Sequence, residues 1–303
     1  MAPGQGSQVP GFLLPWLEDS QSSSLIDHWS SVIDLDIRVL GTNADADEIR
    51  ETSNAQPLLV AAGLIAFARL RSEFDFEVTA FAGHSVGEIT ALGAAEVLDF
   101  DSAMKLVRLR GSEMSKAALG SNTSMAAVLG GERDDVVTYL ASLDLTAANE
   151  NGAGQIVAAG SAAQLVLLAE NPPAGARVRP LAVSGAFHTS VMAPAVPVLR
   201  ELASELHTSD TAVAVLSNKD GASLQDGREL LNRIVGQIAG PVRWDLCMHE
   251  LSALGITGVL ELPPAGTLVG LIKRAAPEIE TFALKSPDDL ASAQEFIARH
   301  GGK

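Results

Sequence analysis

Val78-Thr79-Ala80-Phe81-Ala82-Gly83-His84-Ser85-Val86-Gly87-Glu88 is the stretch from which the rest of the chain is read. The apolar, β-branched start predicts a strand, Gly-His-Ser-Val-Gly a tight turn, and residues 88–98 a helix. Strand, G-x-S-x-G and helix in that order form the context of a nucleophile elbow. Gly83 and Gly87 remove side chains that would clash with neighbouring backbone. A helix starting behind Ser85 also points free N–H groups and the positive end of its dipole at the hydroxyl. Outside that context, the same five residues make an ordinary Gly-flanked turn.

Working outward, residues 56–67 (QPLLVAAGLIAF) are apolar nearly all round and predict a buried helix beginning at Pro57. Residues 101–116 read as a helix with Met104, Val107 and Met114 toward the core and Arg108 and Arg110 away from it. A small, polar break at 118–124 changes the pattern. Strand 125–129, helix 132–143, strand 146–149, the turn Asn151-Gly152-Ala153-Gly154, strand 155–159, helix 162–170 and strand 177–183 follow. The order βαββαβ is that of a ferredoxin-like unit. It is read as an insertion at 118–186 within a larger domain made of 1–117 and 187–303. Ser184-Gly185-Ala186-Phe187-His188-Thr189 marks the return to that domain. Helix 196–206, strand 212–217, helices 228–238 and 244–254, strand 258–262 and helices 267–274 and 288–299 complete it.

The chain has 303 residues, 47% of them hydrophobic, enough for a sizeable core. No apolar run is long enough to span a bilayer, and no basic-then-apolar signal opens the chain, so a cytoplasmic protein is expected. Cys247 is the only cysteine, which excludes a disulfide framework and a thiolate metal cluster. A formal charge of −16 argues against nucleic acid as a partner. It does not argue against a small anion, because one buried arginine reverses the field locally. His249-Glu250 lacks the second histidine of a zinc helix, and no G-x-x-x-x-G-K-[ST] is present.

A serine needs a base to act as a nucleophile at neutral pH, most often histidine. His28, His207 and His249 lie in or beside polar helical stretches and His300 lies in the tail. His84 adjoins Ser85, and since neighbours on a tight turn point apart, it is read as lining the pocket. His188 sits in a junction loop between small residues, as a base or as an ordinary satisfied loop histidine. No aspartate or glutamate stands out as a third member of a triad. A dyad, its imidazole oriented by a backbone carbonyl, is the alternative. At the start of the chain, Gly4-Gln5-Gly6 reads either as an anion-binding nest or as a free terminus.

Taken together, these residues resemble the malonyl-CoA:acyl carrier protein transacylases and the acyltransferase domains of fatty-acid and polyketide synthases. The resemblance runs along nearly the whole chain. It rests on Pro3-Gly4-Gln5-Gly6-Ser7-Gln8, Gln56-Pro57, Gly83-His84-Ser85-Val86-Gly87-Glu88, Arg110-Gly111 and Asn149. It continues through Gly154-Gln155-Ile156-Val157, Ala186-Phe187-His188, Ser217-Asn218, Gln237, Pro241-Val242-Arg243-Trp244, Gly266-Thr267-Leu268 and Lys273-Arg274. It implies an α/β-hydrolase-like large domain with a parallel sheet and a ferredoxin-like insert. The implied roles are Ser85 as nucleophile, His188 as base, Gln237 as the carbonyl orienting the histidine, and Gln5 and Val86 as oxyanion donors. Arg110 would grip the malonyl carboxylate, and Gln56, Phe187, His84, Asn149 and Asn151 would line the acyl and pantetheine path. The implied partners are malonyl-CoA and holo acyl carrier protein, with no cofactor, no metal, no nucleic acid, no membrane and a monomeric chain. A serine esterase or thioesterase using the same hydroxyl is the alternative function. Two departures stand out. Only Met1-Ala2 precede the Pro-Gly-Gln-Gly turn, which predicts a weakly anchored Gln5, and Pro263-Pro264-Ala265-Gly266 replaces the usual Gly-Pro-Gly.

Overall fold

The computed structural model describes residues 1–183 and 185–301. Strand Ala80–Ala82 pairs in parallel with Ala214–Leu216, which carries Ser223–Leu224 antiparallel on its far side. Gly258–Glu261 pairs in parallel with Glu280–Ala283. Met1 and Ala2 lie between these two groups. The Ala2 N–H donates to the Ala82 carbonyl at 2.9 Å, and the Ala2 carbonyl accepts the His84 N–H at 3.0 Å. On the other side the Met1 carbonyl accepts the Leu262 N–H at 2.9 Å. Two residues thus complete one mostly parallel sheet, with both edges of the short first strand hydrogen-bonded. The premise behind a weakly anchored Gln5 is corrected, because the residue opening the segment that leads into it, Ala2, is buried and paired on the elbow itself.

The second sheet runs in the order Ala176–Pro180, Thr123–Gly130, Gln155–Ser161, Thr146–Glu150, Val242–Arg243. Its first four strands pair antiparallel and carry helices Arg133–Ser142 and Ala162–Glu170, the second opened by a Ser161–Gln164 capping box. Ala126, Val128, Ile156 and Ala158 face those helices against Val136, Leu140, Leu165 and Leu168. Period-2 alternation puts Met125, Val157 and Ala159 on the opposite face, where they join the main core. The fifth strand, Val242–Arg243, comes from the later part of the chain and pairs in parallel with Thr146–Glu150. The later part of the chain thus joins this sheet at its edge. Ser184, read as part of the return junction, lies outside the described residues. Ser223–Leu224, Val242–Arg243 and Glu280–Ala283 were not anticipated as strands, being too short or too polar to show an alternating pattern.

Helix Thr52–Glu73 begins five residues before Pro57, so its predicted start is corrected. The polar first turn Thr52-Ser53-Asn54 carries no hydrophobic signal. Pro57 has no N–H for the Ser53 carbonyl, and Arg108 donates to that carbonyl at 3.3 Å instead. Helix Phe100–Ala118, capped by Asp99, packs across it. A side chain at Gly111 would place its Cβ 2.9 Å from the Thr52 carbonyl, so glycine lets the two helices close. That approach sets Arg110 against Gln56. The expectation that Arg110 points away from the core is also corrected, since its guanidinium is buried in a polar pocket between helices. No helix among the described residues is long and apolar enough to cross a membrane.

Candidate active site

Ser85 stands between strand Ala80–Ala82 and helix Gly87–Ala94 with φ 53°, a left-handed conformation rare for a side-chain-bearing residue. The turn closes tightly. A Cβ on Gly83 would sit 2.0 Å from the Gly87 carbonyl carbon, and one on Gly87 would sit 2.2 Å from the Ala2 oxygen. The strained turn lifts Ser85 Oγ to 2.7 Å from His188 Nε2. His188 itself has φ 60°.

Helix Gly227–Gln237 ends at Gln237, where main-chain carbonyls lack helical partners. The Gln237 carbonyl accepts from His188 Nδ1 at 3.0 Å. A carbonyl only accepts, so Nδ1 carries the proton and Nε2 is free to accept from the Ser85 hydroxyl. Burial, reinforced by the Arg110 charge, pushes the His188 imidazole down to about 3. A neutral imidazole against a serine hydroxyl is the state a general base requires.

The Arg110 guanidinium donates through Nη1 to Gln56 Oε1 at 2.7 Å and through Nη2 to Gln237 Oε1 at 2.8 Å and Ser85 Oγ at 3.2 Å. Its Nε is buried with no partner among the described residues. Burial pulls this group down to about 10, still charged at neutral pH. Gln56 Nε2 in turn donates to Gln5 Oε1 at 3.2 Å. Neither the Gln5 nor the Val86 N–H has an acceptor among the described residues. Ser85, His188, Gln237, Arg110, Gln56 and Gln5 therefore form one connected polar network.

The other expected residues sit around this network. His84 Nε2 meets Asn151 Oδ1 at 2.9 Å, and the His84 ring packs edge-on to Trp244. Burial lowers the affinity of His84 for a proton. The pair ties the elbow to the hairpin of the second sheet. Phe187 and Asn149 are buried, Asn149 within strand Thr146–Glu150.

Two residues without an assigned role also belong here. Glu88 is buried, its carboxyl accepting from the Asn218 N–H at 2.7 Å and from Gln237 Nε2. Asn218 bonds directly to the elbow. A signal for Glu88 was present: a lone acid in the otherwise apolar helix GEITALGA has to be buried with partners. No comparable signal exists for Asn218, whose elbow partners Ser85 and Gly83 lie more than 130 positions away.

A serine hydroxyl with a neutral histidine at its side and a cation beneath defines a covalent acyl-transfer site. The model of the acyl transferase domain family matches residues 1–288, and the chain belongs to that family. The malonyl CoA-acyl carrier protein transacylase of Mycobacterium tuberculosis (strain ATCC 25618 / H37Rv) is 47% identical over 292 residues, covering 96% of this chain and 97% of the relative. That of Bacillus subtilis (strain 168) is 32% identical over 304 residues, covering 97% and 95%. The crystal structure of MCAT from Mycobacterium tuberculosis superposes with a TM-score of 0.93 at 45% identity, covering 97% of this chain and 98% of that one. A malonyl-transacylase in complex with a type II PKS acyl-carrier protein superposes with a TM-score of 0.91 at 27% identity, covering 97% of each.

Proposed function

We propose that the protein transfers malonyl groups from malonyl-CoA to the phosphopantetheine thiol of acyl carrier protein, supplying fatty-acid synthesis through a malonyl ester on Ser85. Ser85 Oγ attacks the thioester carbonyl while its proton passes to His188 Nε2. The Gln5 and Val86 N–H groups receive the oxyanion, and removal of one such donor costs about 10²–10³ in rate. Collapse of the tetrahedral intermediate expels the coenzyme A thiolate, which takes the proton from His188. The carrier thiol then gives its proton to His188, attacks the ester and leaves as malonyl-carrier, returning the proton to Ser85. No step calls for a cofactor.

The observation that carries this reading is Arg110. A buried guanidinium 3.2 Å from the nucleophile, with an unpartnered Nε, suits a carboxylate at the far end of the acyl group. An acetyl group would leave that charge desolvated and unpaired. Gln56, Phe187 and His84 then border the acyl pocket, and Asn149 and Asn151 the pantetheine arm.

The same reading divides the chain into an α/β-hydrolase-like catalytic domain (1–117 and 187–303) and a ferredoxin-like insert (118–186). The βαββαβ order and antiparallel strand pairing of the insert support it. The carrier docks at the cleft mouth. Arg177 and Arg179 alternate with Ala176 and Val178, which face the insert's own helices, so the arginines project from the opposite face. Arg177 shares a cross-strand row with Leu129 and Gln155, and Gln155 Oε1 accepts from Arg274 of the large domain at 3.5 Å. None of Arg177, Arg179, Lys273 and Arg274 makes an ion pair among the described residues.

Incubation with malonyl-CoA, with and without holo carrier protein, tests the assignment. Malonyl on the carrier is the expected product. Free malonate formed at the same rate in both arms would make the protein a thioesterase.

A further inference from the structure

The parallel ladder between Ala80–Ala82 and Ala214–Leu216 stops at Ala82↔Leu216, where the chain leaves the sheet to form the elbow. Two residues beyond the end of the partner strand stands Asn218, fully buried. Its Oδ1 accepts the Ser85 N–H at 2.7 Å, and its Nδ2 donates to the Gly83 carbonyl at 2.8 Å. One carboxamide thus supplies the acceptor and the donor that a continuing strand would have offered to the turn. Its orientation is forced, because an N–H requires oxygen opposite it and a carbonyl requires nitrogen. Asn218 is itself held at both ends. Its N–H donates to Glu88 Oε1 at 2.7 Å, and its carbonyl accepts the Arg243 N–H at 2.7 Å.

We propose that Asn218 is a positioning residue for the nucleophile, its carboxamide replacing the broken strand pairing and holding Ser85 in the left-handed conformation that presents Oγ to His188. The proposal rests on the acyl-transfer reading of the site. Ser85 at φ 53° is unfavourable for a side-chain-bearing residue, and such conformations persist where the surroundings over-determine them. Here Gly83 and Gly87 supply the space, and Asn218 supplies the only side-chain hydrogen bond to the Ser85 N–H among the described residues. That bond also commits the Ser85 N–H, leaving the oxyanion to the Gln5 and Val86 donors. Alanine offers neither contact. Aspartate keeps the shape and the acceptor but loses the donor to Gly83.

The test is a rapid-quench experiment with malonyl-CoA, read by intact mass on wild type, Asn218→Ala and Asn218→Asp. Burst amplitude reports the fraction of molecules with a working fold, and the burst rate constant reports how well each hydroxyl is aimed. Misplacement of a reacting atom by 1 Å costs about 10²-fold. Asn218→Ala is therefore expected to acylate about 10²-fold more slowly per active molecule, with the KM for malonyl-CoA and the malonyl-to-acetyl ratio unchanged. Asn218→Asp, which preserves volume, should fall between it and wild type and carries the test if the alanine variant does not fold. A wild-type rate constant in either variant, or a loss confined to burst amplitude, overturns the proposal. Absence of any burst in the wild type would instead overturn the acyl-transfer reading on which it depends.

Discussion

Arg110 is buried at a cost that an anionic group of the proposed substrate would offset. In the free protein it is shared among Gln56, Gln237 and Ser85, all neutral acceptors, and its Nε is unmatched. A site built around a polar group of the substrate rejects the analogue lacking it by up to about 10⁴. Arg110→Ala should therefore lower malonyl transfer by roughly 10³-fold or more while acetyl transfer holds or rises, measured as kcat/KM on the two thioesters. Equal loss of both would make the arginine structural.

Glu88 and His188 shift in opposite directions, and their effects on stability separate by pH. His188 is pushed from 6.5 down to about 3, so between these values the unfolded chain binds a proton that the native state refuses. Its contribution to stability therefore rises with pH across that window. Glu88 is pushed from 4.5 up to about 8, chiefly by burial, against the pull of the Asn218 N–H, Arg110, Gln237 and Arg233. Between those values the native state keeps a proton that the unfolded chain releases, so stability falls as pH rises. The two oppose each other from 4.5 to 6.5. Above 6.5 Glu88 is opposed instead by the buried Met1 amine, pushed from 8.0 down to about 6, so the Glu88 effect is read by comparison with a variant. The melting temperature of the wild type should decline from 6.5 to 8 relative to Glu88→Gln. Parallel melting curves across that range would assign the decline to other groups.

At the scale of elements, the elbow depends on backbone packed against backbone. Gly87→Ala would drive a Cβ to 2.2 Å from the Ala2 oxygen, with no flexible side chain to yield. Overpacking of this kind costs on the order of 3 kcal/mol. The melting temperature should drop by roughly 2–4 °C for each kcal/mol, and the burst of acylation should be lost. Retention of both would mean that the turn reopens without harm. The elbow was legible in the sequence because strand, turn and helix are contiguous and each follows a local rule. Arg110 and Pro57 show where local rules stop. Helical periodicity assigns an arginine to solvent, and a proline to the first turn, unless tertiary partners take over. Here Gln56 and Gln237, which meet Arg110, and Arg108, which takes the Ser53 carbonyl that Pro57 leaves unpaired, come from elsewhere in the fold. Ser85 is legible from the elbow motif, and His188 is a candidate from its junction loop. Their pairing, and Gln237 with them, comes from the family resemblance, since no sequence rule joins residues so far apart. Asn218 had no role for the same reason.

Across the whole molecule, a formal charge of −16 opposes an acidic partner unless cations gather at the point of contact. Arg177, Arg179, Lys273 and Arg274 are the gathering proposed above, and Arg274 reaches Gln155, which shares a cross-strand row with Arg177. Contacts of this exposed kind are screened by salt. The KM for carrier protein should rise with ionic strength while the KM for malonyl-CoA changes little, and Arg177→Ala with Arg179→Ala should reduce that slope. A carrier KM indifferent to salt would place docking elsewhere.

The central claim is that Ser85, activated by His188, carries the malonyl group between two thiols. Intact mass spectrometry after brief exposure to malonyl-CoA measures this directly. The account predicts a single malonyl adduct that is absent in Ser85→Ala and discharged when holo carrier protein is added. An adduct that persists in Ser85→Ala, or none in the wild type, would contradict it.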